Sequence, residues 1–397
     1  MFGILQYIDT ENEGSCFCYK TRKFSLDEYL SDTVSENSDQ NIIPDNQKGV
    51  FAEDDEERVN TVRIPDRLIR NNKSPWFSYF LDGSRHVYKV DDIAIGNKIY
   101  PIVAGQLIVG CCHRIDRDTF KKESIVSRII LALPKSFYTG RHKESDYARL
   151  YCEKMNACLK EKNTFFKTHN IQVDKIVFYP IDGNGVDELD SNKYRNSGIV
   201  RIQNEMTDEE QIMVAQLCKQ KKLNDDNWLI KDGSLQYSHN HSNMDINDFN
   251  AMRANYQRVL GVSKSFNPDL LKNFEGKKMA HIIANLKPFE RTKAYVYHSP
   301  MSENQTFAIW YLRLRKEENF RETRFSDIIK CELVLEDEKQ KIPSSDIDSI
   351  SANLIQEAYP VCYGKDSRWG NHLYPVFLTE SFCKSNYISN HIFLNLF

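Results

Sequence analysis

The chain has 397 residues, 41% of them hydrophobic, enough to bury one large core or two modest ones, and one large domain with an appendage is the expectation. Its 53 basic and 56 acidic side chains leave a formal charge of −3, which excludes a global field attracting polyanions, so any nucleic-acid contact must come from local patches. The ten cysteines lack the C-x-x-C pairs of structural zinc sites and read as free thiols of a reducing compartment.

The N-terminus turns acidic after eight residues, without the basic start and apolar stretch of a signal peptide, and no apolar run approaches a membrane span. A cytoplasmic protein with no membrane association is expected. Residues 25 to about 60 are acidic and polar, a composition that offsets little of the entropy of ordering, so 1–75 reads as an N-terminal extension, partly loop. Strand character begins at Trp76 in WFSYFLDGS and continues after a turn through HVYKVDDIAIG and YPIVAGQLIVGCCHR, an antiparallel meander. SDYARLYCEKMNACLKEKNTFFKTH reads as a helix and KIVFYPI as a strand. In MTDEEQIMVAQLCKQKK, Thr207 and Glu210 form an S/T-x-x-E capping box that predicts a helix starting there. The run NWLIKDGSLQY is a strand, followed by strand-like YQRVLGVSKS, KAYVYH, TFAIWYLRLR and IIKCELVLE, and SSDIDSISANLIQEAY is a late helix. Strands and helices sharing one core indicate an α/β or α+β domain.

Two segments share one construction, an aromatic-rich apolar strand running into Asp-Gly-Ser: Phe77 to Ser84, with Asp82, and Trp228 to Ser234, with Asp232. Either alone is explained as a hairpin turn. Together they are harder to dismiss, because neighbouring strands would bring both carboxylates to one sheet edge. Phosphodiester hydrolysis near neutral pH needs an activated water and neutralisation of developing charge, which hard cations on carboxylate oxygens supply. Two aspartates hold an ion weakly, so a further acid is expected from the adjacent helix. Glu209 and Glu210 both qualify, as ligands or as helix N-terminal acids. Lys264, in the run Val259 to Ser265, ends an apolar strand and is either a solvated strand-end lysine or a group that holds a phosphate.

The order strand-DGS, helix with Glu, strand-KDGSL, GVSKS and a final Tyr-Pro strand resembles the NurA nuclease family, over residues 76–397. The resemblance implies an RNase H-like fold, a mixed β-sheet flanked by helices, and a metal-dependent deoxyribonuclease of endo- or exonuclease type that processes DNA ends. It also implies Mn2+ or Mg2+ held by acidic residues, a homodimer, and a HerA-type hexameric ATPase as partner in DNA repair or phage defence. By that resemblance Asp82, Asp232 and one of Glu209 and Glu210 are the metal-binding acids, and Lys264 is the lysine of the fourth motif. The last element departs from the family, which places His or Asp a few residues past Tyr-Pro where this chain has Ser381-Phe382; Glu380 or His372 stands in from an adjacent position.

Arg313 and Arg315 alternate in Tyr311–Arg315 and so share a sheet face, and Arg291 and Lys293 precede the neighbouring strand. With His372 these arginines are the expected DNA contacts, against the alternative of a solvated outer face. His239-Asn240-His241 reads as a polar loop, and the apolar C-terminal His391 to Phe397 is expected to pack inside the domain or in a dimer contact. The rival from another class is a catalytically inactive scaffold of the same fold, with the Asp-Gly pairs serving only as turns.

Overall fold

Thirteen strands form one sheet in the computed structural model, which describes residues 2–12, 14–27, 48–55, 57–70, 76–116, 119–138, 140, 143–181, 191–237, 253–299, 305–316, 323–362 and 368–397. In chain order they are β1 (Cys16–Cys18), β2 (Phe24–Ser25), β3 (Thr61–Arg63), β4 (Phe77–Ile95), β5 (Lys98–Arg114), β6 (Phe120–Pro134), β7 (Lys175–Tyr179), β8 (Trp228–Asp232), β9 (Val259–Ser263), β10 (Glu290–Thr292), β11 (Tyr295–His298), β12 (Thr306–Arg313) and β13 (Ile328–Leu335). The order across the sheet is β3-β10-β12-β13-β9-β8-β4-β5-β6-β7, with β1 and β2 on β4 and β11 on β12. The pairs β4 with β8, β8 with β9 and β6 with β7 are parallel, and the remaining strand pairs are antiparallel. The chain is therefore α/β, a large mixed sheet flanked by helices, as its sequence leads one to expect.

Side chains alternate across the sheet and divide the core. On one face Leu81, Leu229 and Val259 pack under the helix Ser191–Lys219 through Ile199, Ile202, Met206 and Met213. On the other, Phe80, Ile230 and Leu260 meet the helices Ser344–Glu357 and Tyr374–Ser385.

The structure departs from the expected elements at several points. Asp82-Gly83-Ser84 is no turn: the 19-residue β4 runs straight through it, paired to β5 from Tyr79 to Ile95 with one register shift between Lys89 and Asp91. Gly83 is required by packing instead, since a Cβ there would collide with Glu210 Oε1 and lie 3.0 Å from Met206 Sδ. Asp232-Gly233 does end its strand, with Gly233 at φ 89°, a conformation glycine adopts without steric cost. The helix expected to start at Thr207 starts at Ser191; Thr207 lies inside it and its hydroxyl donates to the Gln203 carbonyl at 3.2 Å, so no capping box forms. The upstream apolar positions Ile199, Ile202 and Met206 extend the same buried stripe, which overrides the local start signal. Tyr374-Pro375 opens a helix rather than a strand, with proline in its first turn, where its missing N–H costs nothing. The helix expected over 145–169 breaks at Asn163, whose side chain accepts from Phe165 N and starts a second helix.

Much of the supposed N-terminal extension is woven into the domain. Ile4 and Ile8 are fully buried, Ile4 N donates to Leu396 O at 3.0 Å, and β1, β2 and β3 pair with β4 and β10. Phe393 and Leu396 are buried in that same cluster, so the apolar C-terminus packs inside the domain. Residues 28–47 of the acidic stretch and His239-Asn240-His241 lie outside the described residues. Among the described residues no helix is long and apolar enough to cross a membrane.

Candidate functional site

The site arises from a gap in strand pairing. On one edge of β4, β8 pairs as far as Leu81 and β2 with the following Leu26 takes over at Val87, and in the gap between them Asp82 to Arg85 border a cleft of about 1150 Å³. This cleft lies beyond the carboxyl ends of the parallel strands β8 and β9, where open α/β sheets commonly bind ligands.

Register then places the acids. Leu81 is opposite Lys231 in the parallel pair, so Asp82 and Asp232 follow side by side on one face. Asp232 is opposite Val262, which puts Lys264 two residues further on at the same margin. The Tyr374–Ser385 helix covers that face closely because Gly110, the antiparallel partner of Asp82, has no side chain: a Cβ there would lie 2.5 Å from Cys383 Sγ. One turn earlier on this helix, Glu380 reaches the cleft. From the opposite face Glu210 enters, a position of the buried helical stripe Ile202, Met206, Glu210, Met213. Four acids, Asp82, Glu210, Asp232 and Glu380, and two lysines, Lys231 and Lys264, are thus among the side chains that line one cleft.

Lys264 Nζ stands 2.9 Å from Asp232 Oδ2 and 3.5 Å from Glu380 Oε2, and Lys231 Nζ 2.9 Å from Glu210 Oε2. Burial opposes charge on Lys264, but Asp232, Asp82 and Glu380 outweigh it and hold the ammonium charged well above its ordinary range. Lys231, also buried, is raised because Glu210 more than compensates. Asp82 is pushed the other way: burial first, then the charges of Asp232, Glu380 and Glu210, raise its carboxyl well above the ordinary range, with Lys264 only partly opposing. Its Oδ2 is buried and accepts no hydrogen bond among the described residues. Burial raises Glu210, with Lys231 opposing, whereas in Glu380 the cations Lys264, Lys384 and His372 overcome burial and lower it.

The oxygen-only donor set and the unsatisfied Asp82 Oδ2 suit a hard divalent cation. Among the described residues, however, no three His, Cys, Asp or Glu side chains stand ready as a metal cage. Lys264 and Lys231 engage three of the four acids.

Of the two glutamates left open by the sequence, Glu209 is turned away from the cleft and bonds Arg128 Nε at 3.1 Å, because adjacent helical residues point about 100° apart. The expected DNA contacts are corrected by burial. Arg291, wholly buried, joins Glu53 and Asp348; Arg313, 2% exposed, pairs with Asp327; Arg315, 3% exposed, donates to the carbonyls of Gly370 and His372. His372 is buried beneath Glu380, with Nδ1 3.9 Å from Oε2. None of these four lines the cleft, since that face of β12 is covered by the rest of the chain.

Residues not singled out by sequence reasoning also build the site. Lys231 interrupts an apolar strand, which was a legible sign of a buried partner. Glu332, fully buried on β13, accepts from Ser234 Oγ at 2.9 Å, Leu235 N at 2.7 Å and Gln236 Nε2 at 2.9 Å, and pairs with Lys330 at 2.8 Å. It holds the turn that follows Asp232, and its spacing of two from Lys330 in an apolar strand was the available signal. Glu332→Ala is expected to destabilise the protein by roughly 3 kcal/mol or more, the usual cost of breaking a buried charge network, as checked by denaturant unfolding.

No protein-family model matches the chain, and no curated protein sequence does. Among solved structures it resembles the NurA nuclease from Sulfolobus solfataricus, at 12% identity over 77% of this chain and 78% of that one, with a TM-score of 0.36. A likeness at that level decides neither family nor activity. The α/β architecture rests on the sheet and helices themselves.

Proposed function

We propose that the chain is a metal-dependent nuclease that hydrolyses DNA phosphodiester bonds in the cleft between Asp82 and Asp232. The observation that carries this reading is the meeting of two sequence-distant aspartates at one sheet margin, one of them with a buried, unpaired oxygen. An unsatisfied buried acceptor is unfavourable, and a function that needs it gives a reason for its persistence. Asp82 and Asp232 would hold Mn2+ or Mg2+, with Glu210 and Glu380 supporting them. When bound, the ion supplies an activated water and neutralises charge developing on the phosphate oxygens. Lys264, held charged, stabilises charge building on the phosphoryl group. Lys231 keeps Glu210 fixed at the floor of the cleft.

The test is Mn2+-dependent cleavage of linear DNA by the wild type and by Asp232→Asn, with an RNA substrate alongside. The wild type is expected to cut DNA and the variant to lose at least about 10²-fold in rate; equal rates in both would remove the assignment. Glu209→Gln, by contrast, is expected to stay within about twofold of wild type, since it breaks only a half-buried ion pair outside the cleft, whereas Glu210→Gln should lose most activity. Parallel behaviour of the two would show that the cleft does not distinguish them.

The second reading, a catalytically inactive scaffold, draws on the lack of a ready metal cage among the described residues. It predicts DNA retention without cleavage under any divalent ion. A two-fold dimer and a HerA-type hexameric ATPase partner belong to the first reading and rest on motif resemblance alone; co-elution of the two purified proteins tests them.

A further inference from the structure

The sequence-selected arginines are buried, and a different arginine lines the cleft. Arg85 belongs to the stretch of β4 that borders the cleft, three residues past Asp82, and its side chain lines the cavity. Alternation along the strand puts it on the face of Gly83, under the Ser191–Lys219 helix, beside Gln203 and Thr207 of the same cavity. Its Nε is buried and makes no hydrogen bond among the described residues. Among the described residues it forms no ion pair within 4.0 Å. The acid whose charge favours its protonated form is Asp27, and that carboxylate is engaged by His86 Nδ1 at 2.8 Å and by Val87 N at 2.9 Å.

The contrast with Arg291, Arg313 and Arg315 is instructive, since each of those spends its guanidinium on carboxylates or carbonyls. A partly desolvated guanidinium with a buried donor left over is costly unless a ligand completes it. Its planar fork matches phosphate oxygens better than any other abundant anion in a phosphodiester cleft. Three strand residues separate the Cα atoms of Arg85 and Asp82 by roughly 10 Å, on the order of two or three nucleotide rises.

We propose that Arg85 grips a DNA phosphate about two or three nucleotides from the bond that is cleaved, and so sets the register of the strand in the cleft. This rests on the nuclease reading above. Arg85 acts by positioning, leaving the chemistry to the acids and Lys264.

The experiment combines three measurements on wild type, Arg85→Gln and Arg85→Lys: Mn2+ binding by calorimetry, cleavage of linear DNA, and anisotropy of a labelled single-stranded oligonucleotide in Ca2+ across a salt series. Arg85→Gln is expected to bind Mn2+ like wild type but to bind the oligonucleotide about tenfold more weakly. Its slope of log K against log salt should fall by about 0.7, the loss of one phosphate contact. Arg85→Lys, keeping charge without the fork, should restore the slope and part of the affinity, a rescue that a purely structural role would not give. Wild-type affinity and slope in Arg85→Gln, with Mn2+ binding and cleavage intact, would overturn the assignment of Arg85 and leave the nuclease reading standing. A wild type that neither binds Mn2+ nor cleaves would overturn both, and the metal isotherm identifies that case.

Discussion

Asp82→Asn is expected to make the metal-free protein more stable at neutral pH while abolishing cleavage. Burial, and then the charges of Asp232, Glu380 and Glu210, raise the Asp82 carboxyl well above its unfolded value near 3.8. Between the unfolded and folded values the native state binds the extra proton. Stability from this group is therefore fully present below the unfolded pKa and is lost as pH rises through the folded one. Asparagine carries no such charge, and its amide N–H can donate to a neighbouring carboxylate. Relief of one unsatisfied buried group is worth roughly 1–3 kcal/mol, or an increase of a few degrees in Tm for a long chain. The wild-type and variant curves should separate at pH 7 to 8 and converge toward pH 4. Addition of Mn2+ should reverse the ranking, because a ligand at one hundred times its Kd stabilises the wild type by about 2.7 kcal/mol. Cleavage should drop by about 10²–10³-fold or more. Calorimetric melts across pH, with and without Mn2+, check the first part. A variant less stable than wild type at pH 8 without metal would mean that Asp82 is not an electrostatic liability, and the argument for a cation site would lose its support.

Arg291→Met tests the opposite kind of site. Its guanidinium donates to Glu53 at 3.0 and 3.2 Å, to Asp348 at 2.7 Å and to the Thr292 carbonyl at 3.1 Å, tying β10 to the 51–55 segment and to the Ser344–Glu357 helix. Glu53 is wholly buried. Removing one partner of a buried pair costs about 3–5 kcal/mol, because the remaining carboxylate stays desolvated. Glu53 keeps its bonds from Ala294 N and Ser344 Oγ, which places the expected loss at the lower end of that range. The denaturant midpoint should fall accordingly, while the DNA affinity of the folded fraction, measured well below the melt, should equal that of wild type. Reduced affinity at unchanged stability would restore the arginine to the nucleic-acid surface.

The two arginine classes show why a sequence misplaces such contacts. Alternation along Tyr311 to Arg315 correctly puts Arg313 and Arg315 on one face of the sheet, but period two says nothing about what lies over that face. Here it is the chain's own backbone, since Arg315 donates to the Gly370 and His372 carbonyls. Arg85 carried no local distinction from any strand arginine. Only the gap between the β8 and β2 pairings exposes its position.

The capping box and the Tyr-Pro strand failed for a related reason. Both were short-range signals overruled by a longer pattern, in one case the buried stripe Ile199, Ile202, Met206, Glu210, and in the other a helix that proline starts well. That stripe was present in the sequence, and extending it upstream would have separated Glu210 from Glu209.

Local information was enough for what depends on near neighbours: the alternating strands, the apolar C-terminus that packs inward, and two aspartates each preceded by buried strand residues. Periodicity and composition act over a few residues, and those features are written at that range. Tertiary structure alone decided that β4 continues past Asp82 while β8 stops at Asp232, and that Lys264 stands against Asp232 and Glu380. Each of these follows from register between strands and from helices seated over Gly83 and Gly110, contacts between segments whose separation along the chain leaves no local trace.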